Sequence, residues 1–463
     1  MKKTILIFVF FISNFVWTQE VIGTWHGLLD VGQKLRLDIH ISKSGETYIG
    51  KLDSPDQGAK DIPATKVEFT NNTLVFEVKN LGVSYSGKVK SDSIDGTFKQ
   101  GGFSTKLLLT RSEVEKKKAN RPQDPKGPFA YLEEEVVFEN KTEKFKLSGT
   151  LTVPGGEGPF PAVILVSGSG PQDRNEEILE HKPFWIIADY LTNQGFAVLR
   201  YDDRGTAKSE GNFNTATSVE LAQDAESALD YLKSNPKINS SKICVAGHSE
   251  GAMLAVILAA RRKDIHSVAL LAGPGIQGGE LLLLQQYLIN KANGVPEKSN
   301  KAMQRFNRKI YKIVVNQSNI SDARPILEKE IRKALKNTKD DDFSGYSSKE
   351  QLIQESMSNV CNPWMFYFIK YDPKSDLEKV NCHVLALNGS RDLQVPPKEN
   401  LGAMQKYIPS SDKSRMFKEL PNLNHLFQQC ETGNPQEYES IEQTIQPEVL
   451  KILGDWLKSI QTK

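Results

Sequence analysis

Ile243-Cys244-Val245-Ala246-Gly247-His248-Ser249-Glu250-Gly251-Ala252-Met253-Leu254-Ala255-Val256 is the stretch on which the fold turns. It reads as an apolar strand, a sharp turn with serine at its apex, and an apolar helix. Glycines two before and two after the serine relieve crowding in a turn tight enough to push the hydroxyl out above a sheet. Ser249 is therefore the candidate nucleophile. A five-residue pattern occurs by chance, so the flanking strand and helix, and partners further along the chain, must carry the reading.

Outward from this turn, strand and helix patterns alternate. Toward the N-terminus lie strand-like runs at Glu134 to Phe138 and Phe145 to Val153, then Ala162-Val163-Ile164-Leu165-Val166, apolar throughout and so expected to be buried on both faces. A helical pattern follows at Phe184 to Asn193, a strand at Phe196 to Tyr201 and a helix at Val219 to Ser234. Beyond the turn comes a strand at Ser267 to Ala272, and the alternation resumes with Val384 to Leu387, Leu401 to Tyr407, Arg415 to Leu420 and a last helix from Gln446 to Ile460. Alternation of this kind predicts an α/β domain, a mostly parallel sheet covered by helices on both faces. Between the two halves, residues 275–371 break the order with four helical patterns, at Leu281 to Lys291, Lys298 to Val315, Ala323 to Leu335 and Gln351 to Val360. We read this insertion as a helical cap.

Residues 20–112 follow a different grammar. Short alternating runs at Lys34 to Ile41, Thr47 to Leu52, Thr65 to Phe69, Thr73 to Val78, Val83 to Val89 and Ser104 to Leu109, separated by Gly, Asn, Ser and Asp, predict a small antiparallel β-domain, barrel or sandwich, of about eight strands. Residues 113–128, charged and proline-containing, read as a linker, and 129–463 as the α/β domain. At the start, Lys2-Lys3 precede an apolar run to Trp17, a secretory signal-peptide pattern over residues 1–19 that points to export, periplasmic or extracellular. No other stretch approaches the ~20 apolar residues of a membrane span.

Composition is ordinary for a globular chain, 38% apolar and 25% charged over 463 residues, and a net charge of +2 leaves no footprint for nucleic acid. Cys244, Cys361, Cys382 and Cys430 stand at long irregular spacings without a Cys-x-x-Cys pair, which argues against zinc or dithiol chemistry. Export would permit a disulfide, with Cys361 and Cys430 the pair to test, against buried free thiols as the other reading.

A serine hydroxyl needs a base, an orienting carboxylate and donors for the oxyanion. Asn388-Gly389-Ser390-Arg391-Asp392 follows the resumed strand, and Asp392 is the candidate acid. Leu423-Asn424-His425-Leu426-Phe427 follows the last strand, and His425 is the candidate base. His181 is the rival base, in a loop before a helix, but it precedes Ser249. For the oxyanion, the backbone N–H of Glu250 starts the helix after the nucleophile, and Ser169 in Ser167-Gly168-Ser169-Gly170-Pro171 offers the second. No cofactor or metal is called for.

These residues resemble the α/β-hydrolase superfamily, and within it exported or intracellular bacterial esterases related to dienelactone-hydrolase and serine-aminopeptidase-like hydrolases. The matching segments are Ser167-Gly168-Ser169-Gly170-Pro171-Gln172-Asp173-Arg174, His181-Lys182-Pro183, Arg200-Tyr201-Asp202-Asp203-Arg204-Gly205, the Ser249 turn, and Leu387 to Pro397 around Asp392. Chain order Ser249, Asp392, His425 is the family order. Ala207 departs from the family's usual glycine, outside the triad. The resemblance implies a structural Asp202-Asp203-Arg204 loop, paired near the strand end, and a cap whose aromatics Trp364, Phe366, Tyr367 and Phe368 line a substrate pocket or simply pack in the core. The expected activity is carboxylic ester hydrolysis on a small-molecule ester. An aminopeptidase, amidase or thioesterase uses the same machinery, and a secreted glycan- or partner-binding protein with an inactive hydrolase domain is the alternative of another class.

Overall fold

The computed structural model describes residues 21–31, 34–57, 59–100, 103–115, 119–336 and 348–461; the expected signal peptide lies outside them. Two compact units divide the chain: Met1–Lys117 with Thr338–Leu352, and Lys118–Asn337 with Ile353–Lys463.

In the first unit, β1 (Gly23–Asp30), β2 (Lys34–Ser44), β3 (Thr47–Ser54), β4 (Ala59–Pro63), β5 (Lys66–Thr70), β6 (Thr73–Val78), β7 (Val83–Lys90), β8 (Ser93–Gln100) and β9 (Phe103–Thr110) form one antiparallel sheet. Its order is β4-β3-β2-β1-β9-β8-β7-β6-β5. The sheet curls, so that a side chain placed at Gly50 of β3 would strike Phe76 at 2.8 Å. Alternation explains the burial: Leu35, Leu37, Ile39 and Ile41 of β2 point inward while the residues between them face out. Trp25, Phe76, Tyr85 and Leu109 fill the interior. The Arg111 guanidinium lies 3.6 Å over the Trp25 ring and donates to the Thr24 carbonyl at 3.2 Å, a cation–π closure of the core's edge. Strands β4 and β8 escape the alternating runs of the sequence because their composition is polar: β4 buries none of its residues, and β8 buries only Ile94 and Phe98.

The second unit holds β10 (Leu132–Glu139), β11 (Lys146–Val153), β12 (Phe160–Val166), β13 (Ala197–Tyr201), β14 (Ile238–His248), β15 (Ser267–Leu271), β16 (His383–Gly389) and β17 (Arg415–Leu420), in the order β10-β11-β13-β12-β14-β15-β16-β17. The β10/β11 and β11/β13 pairs are antiparallel and the others parallel. Ala162, Ile164 and Val166 of β12 enter one core and Val163 and Leu165 the other, which is why this strand reads as an unbroken apolar run. Helices α2 (Ser218–Ser234) and α3 (Glu250–Arg261) pack on the first face, and α1 (Pro183–Asn193) on the second, with the C-terminal helix Pro447–Ser459. Thr217 and Glu220 close a capping box at the start of α2.

Between β15 and β16, α4 (Gly278–Ala292), α5 (Glu297–Asn316), α6 (Ile320–Ala334), α7 (Lys349–Val360), α8 (Pro363–Lys370) and the short α9 (Lys374–Leu377) make up the helical insertion. Ile310, Val314, Leu327, Ile353 and Ile369 give it a core of its own. All four cysteines are buried free thiols, so Cys361 and Cys430 are not joined.

Packing is close at the serine turn. A Cβ on Gly251 would stand 2.0 Å from the Val166 carbonyl oxygen, and one on Gly247 would stand 2.1 Å from the Gly251 carbonyl carbon. Both neighbours are backbone and cannot swing aside. Gly251→Ala should therefore destabilise the protein by about 3 kcal/mol or more, the upper range for overpacking, read as a lowered urea midpoint or a failure to fold.

Candidate active site

Strand β12 lies between β13 and β14, so chain winding reverses beside it, and the loops leaving the C-terminal ends of β12 and β14 open a crevice. The first of those loops is Ser167 to Pro171 and the second is the Ser249 turn. Ser249 sits at φ 52°, ψ −119°, a conformation costing a non-glycine residue about 1–3 kcal/mol. It is held there by its N–H on the Leu271 carbonyl at 2.8 Å and by the Ala252 N–H on its own carbonyl at 3.1 Å. Glu250 opens α3, and as the first amide of a helix its N–H has no intrahelical acceptor.

Asp392 and His425 come from loops that are laced together. Ser390 and Arg391 donate their amides to the carbonyls of Leu420 and Leu423, and Ser390 Oγ accepts the Asn422 amide at 2.8 Å. Asn424 then folds the second loop by accepting the amides of Leu426 and Gln428 on its side chain. The result brings His425 Nδ1 to 2.8 Å from Asp392 Oδ2. Asp392, 2% exposed, also accepts the amides of Gln394 and Val395, each at 2.8 Å, and the Asn388 side chain at 3.2 Å. These bonds satisfy the buried carboxyl and fix its orientation toward the His425 ring. With Nδ1 so engaged, Nε2 is the ring nitrogen of His425 left for proton exchange.

Two cavities of about 120 Å³ each meet at this point, and Ser169, Ser249 and His425 line both. The first adds Gly168, Glu176 and His248; the second adds Glu250, Leu281, Trp364 and Phe368. The Gly168 amide is taken by Glu176 Oε1 at 2.6 Å, and Asp203 anchors the same loop by accepting the Ser167 hydroxyl and the Gln172 amide at 2.7 and 3.0 Å. Ser169, flanked by these anchors, is the loop residue that faces both cavities.

Of the four aromatics singled out in the sequence, Trp364 and Phe368 stack at 5.1 Å beside Ser249, whereas Phe366 and Tyr367 face a separate cavity of about 740 Å³ with Ile320 and Tyr371. Helical spacing explains the division, since residues 364 and 368 share a face and 366 and 367 lie on the other. Trp364 Nε1 donates to Glu250 Oε1 at 2.7 Å, as does Ser218 Oγ at 2.6 Å. Burial pushes the Glu250 carboxyl above its ordinary range.

One sequence expectation is corrected. The carboxylates and guanidinium of Asp202-Asp203-Arg204 do not pair with one another: Arg204 binds Asp224 and Glu143, each at 2.7 Å, and Asp202 binds Arg174 at 2.7 Å. Neighbours in an extended turn point apart, so each finds a partner from another element. His181 lies outside both cavities, with Nδ1 2.8 Å from Thr444 Oγ1 and Nε2 2.9 Å from the Tyr438 carbonyl. Sequence reasoning passed over Glu176 and His248 as site residues; the one local signal was the position of His248 inside the turn. Among the described residues no group of three or more His, Cys, Asp or Glu is set to hold a metal ion, and no helix is long and apolar enough to cross a membrane.

Burial depresses the His181 pKa to about 4. Because an unfolded histidine titrates near 6.5, the buried neutral ring contributes stability in full above that pH, and the contribution is lost as pH falls toward 4. The destabilisation caused by His181→Gln should accordingly shrink between pH 6.5 and pH 4, as measured by urea unfolding at stepped pH.

A model of the family described as serine aminopeptidase, S33, matches residues 183–427, just over half of the chain and a span that contains Ser249, Asp392 and His425. Esterase EstD of Thermotoga maritima is 38% identical over 144 residues, 31% of this chain and 34% of that protein. Acyl-coenzyme A thioesterase 3 of Mus musculus is 29% identical over 131 residues, 28% of this chain and 26% of that protein. The chain thus spans about a quarter to a third of the length of these curated relatives. An esterase of Pyrococcus furiosus superposes with a TM-score of 0.43 at 15% identity, covering 75% of this chain and 99% of that one. With the strand order, the serine turn and the family match together, the chain belongs to the serine aminopeptidase S33 family of α/β-hydrolases.

Proposed function

We propose that the protein hydrolyses carboxylic esters through Ser249, His425 and Asp392. The observation that carries this reading is the buried 2.8 Å contact between His425 and Asp392, set against two cavities that His425 shares with Ser249. In this reading, His425 Nε2 takes the proton from Ser249 Oγ as it attacks the ester carbonyl, and Asp392 holds the ring and offsets its charge. The amides of Glu250 and Ser169 meet the oxyanion. His425 gives its proton to the leaving alcohol, an acyl-enzyme forms on Ser249, and a water deprotonated by His425 releases the acid.

The cavities favour small substrates. The chamber walled by Leu281, Trp364 and Phe368 suits a short acyl or aryl group, and the helical insertion serves as its cap. An aminopeptidase would need a free carboxylate for the substrate's ammonium. Of the two carboxyls that line the cavities, Glu176 is engaged by His248 and the Gly168 amide through Oε1, and burial pushes Glu250 toward its neutral form, a poor match for an ammonium. Thioester hydrolysis is a second reading, favoured by the similarity to acyl-coenzyme A thioesterases. We place the enzyme outside the cytoplasm, on the strength of the leader pattern in residues 1–19.

Ser249→Ala should lower kcat on p-nitrophenyl acetate by about 10⁴-fold or more, with loss of fluorophosphonate labelling, and unchanged hydrolysis would overturn the proposal. Asp392→Asn should leave the fold intact and lower kcat by about 10³- to 10⁴-fold, since the neutral amide no longer holds the required tautomer. Rates on matched acetyl esters and acetyl-coenzyme A, measured side by side, separate the two readings.

A further inference from the structure

Behind Ser249 lies a second buried histidine–carboxylate pair. His248 and Glu176 are 8% and 6% exposed, and His248 Nδ1 is 3.0 Å from Glu176 Oε1. On its other side, His248 Nε2 is 3.0 Å from the main-chain carbonyl of His425, and the two rings lie 4.8 Å apart. The Gly168 amide donates to the same Glu176 oxygen at 2.6 Å. Glu176 therefore reaches three segments at once: the loop that offers Ser169, the turn that carries Ser249 and, through His248, the loop that carries His425. Its backbone stands at φ 51°, which a non-glycine residue keeps only where its surroundings impose it.

Acceptors on both sides of the His248 ring call for a proton on each nitrogen, and so for an imidazolium paired with a carboxylate. Burial opposes that charge. The Glu176 carboxylate, the His425 carbonyl and the more distant Asp392 outweigh it and hold the His248 pKa above its ordinary value.

We propose that Glu176 and His248 act as one unit of positioning residues for ester hydrolysis, fixing the oxyanion loop and the His425 backbone in register with Ser249. The inference rests on the reading of Ser249, Asp392 and His425 as the catalytic triad. It adds a link between the two halves of the machinery: the same carboxylate that sets the Gly168 amide, one residue before Ser169, also sets the carbonyl of the general base through one imidazolium. Such a link acts on the transition state more than on substrate binding, because the oxyanion donors and the base must be placed together when the tetrahedral intermediate forms.

The test is a double-mutant cycle in the full chain, with Glu176→Gln, His248→Asn and the pair, assayed on p-nitrophenyl acetate beside wild type, Ser249→Ala and the exposed-neighbour control Glu177→Gln. Each single variant is expected to lower kcat by about 10- to 100-fold with KM within about threefold, and the pair to fall no more than about threefold below the weaker single variant. Affinity for an aryl trifluoromethyl ketone, which forms a tetrahedral adduct, should fall in the same proportion as kcat. Glu177→Gln should match wild type. If Glu176→Gln does not fold, Glu176→Asp keeps the charge but is one methylene shorter, and its kcat should still fall. A folded Glu176 variant with wild-type kcat, losses that multiply in the pair, or a change confined to KM would overturn the inference. In that case an inactive Ser249→Ala shows that the triad reading still stands, whereas an active Ser249→Ala removes the triad reading itself.

Discussion

Backbone contact between β12 and the start of α3 is the constraint on which the hydrolase unit depends. The Val166 carbonyl stands where a side chain at position 251 would begin, so helix α3 can meet the sheet this closely only through glycine. That approach forces the chain to reverse within a few residues after β14, and the reversal puts Ser249 at a positive φ with its side chain above the sheet edge. The strain is borne by regular structure on both sides: Ser249 donates to the carbonyl at the end of β15, and α3 is buried along eleven of its twelve residues. The same contact sets the first amide of α3 beside the loop that leaves β12, which is the geometry an oxyanion requires.

Around this turn the protein buries several carboxyls and treats each differently. Asp392 is hydrogen-bonded by two amides, an asparagine side chain and His425. Glu250, a residue of the turn itself, receives only the hydroxyl of Ser218 and the indole of Trp364 on one oxygen, and burial pushes it toward the protonated form. Glu250 thereby fastens a wall of the apolar chamber to the helix whose amide faces Ser249. Glu176 is matched by His248. Three acids within one small region thus serve three ends, and the difference lies in the donors that surround each one.

Much of this was legible in the sequence. Apolar runs of the parallel strands, the glycine spacing around Ser249, and the order of Ser249, Asp392 and His425 are all local or ordinal features, and they suffice for an α/β sheet with these three candidate groups on loops at one rim. The β-unit was legible where strands alternate cleanly, as in β2 and β6, and not where polar composition hides the pattern, as in β4 and β8. Four helices of the insertion, α4 to α7, were legible from their periodicity, but not the short α8 and α9, nor which residues would face Ser249.

By itself the sequence determined the kind of fold and picked out three candidate groups for acyl transfer, because periodicity and turn chemistry act over a few residues at a time. Tertiary structure alone decided who pairs with whom. Arg204 meets Asp224 and Glu143 instead of its own neighbours, Trp364 and Phe368 reach the Ser249 chamber while Phe366 and Tyr367 face away, and Glu176 joins His248 across 72 residues. Those choices follow from burial: a charge or polar group taken from water must find a partner where the packed elements put one, and that place is set by segments far apart in the chain.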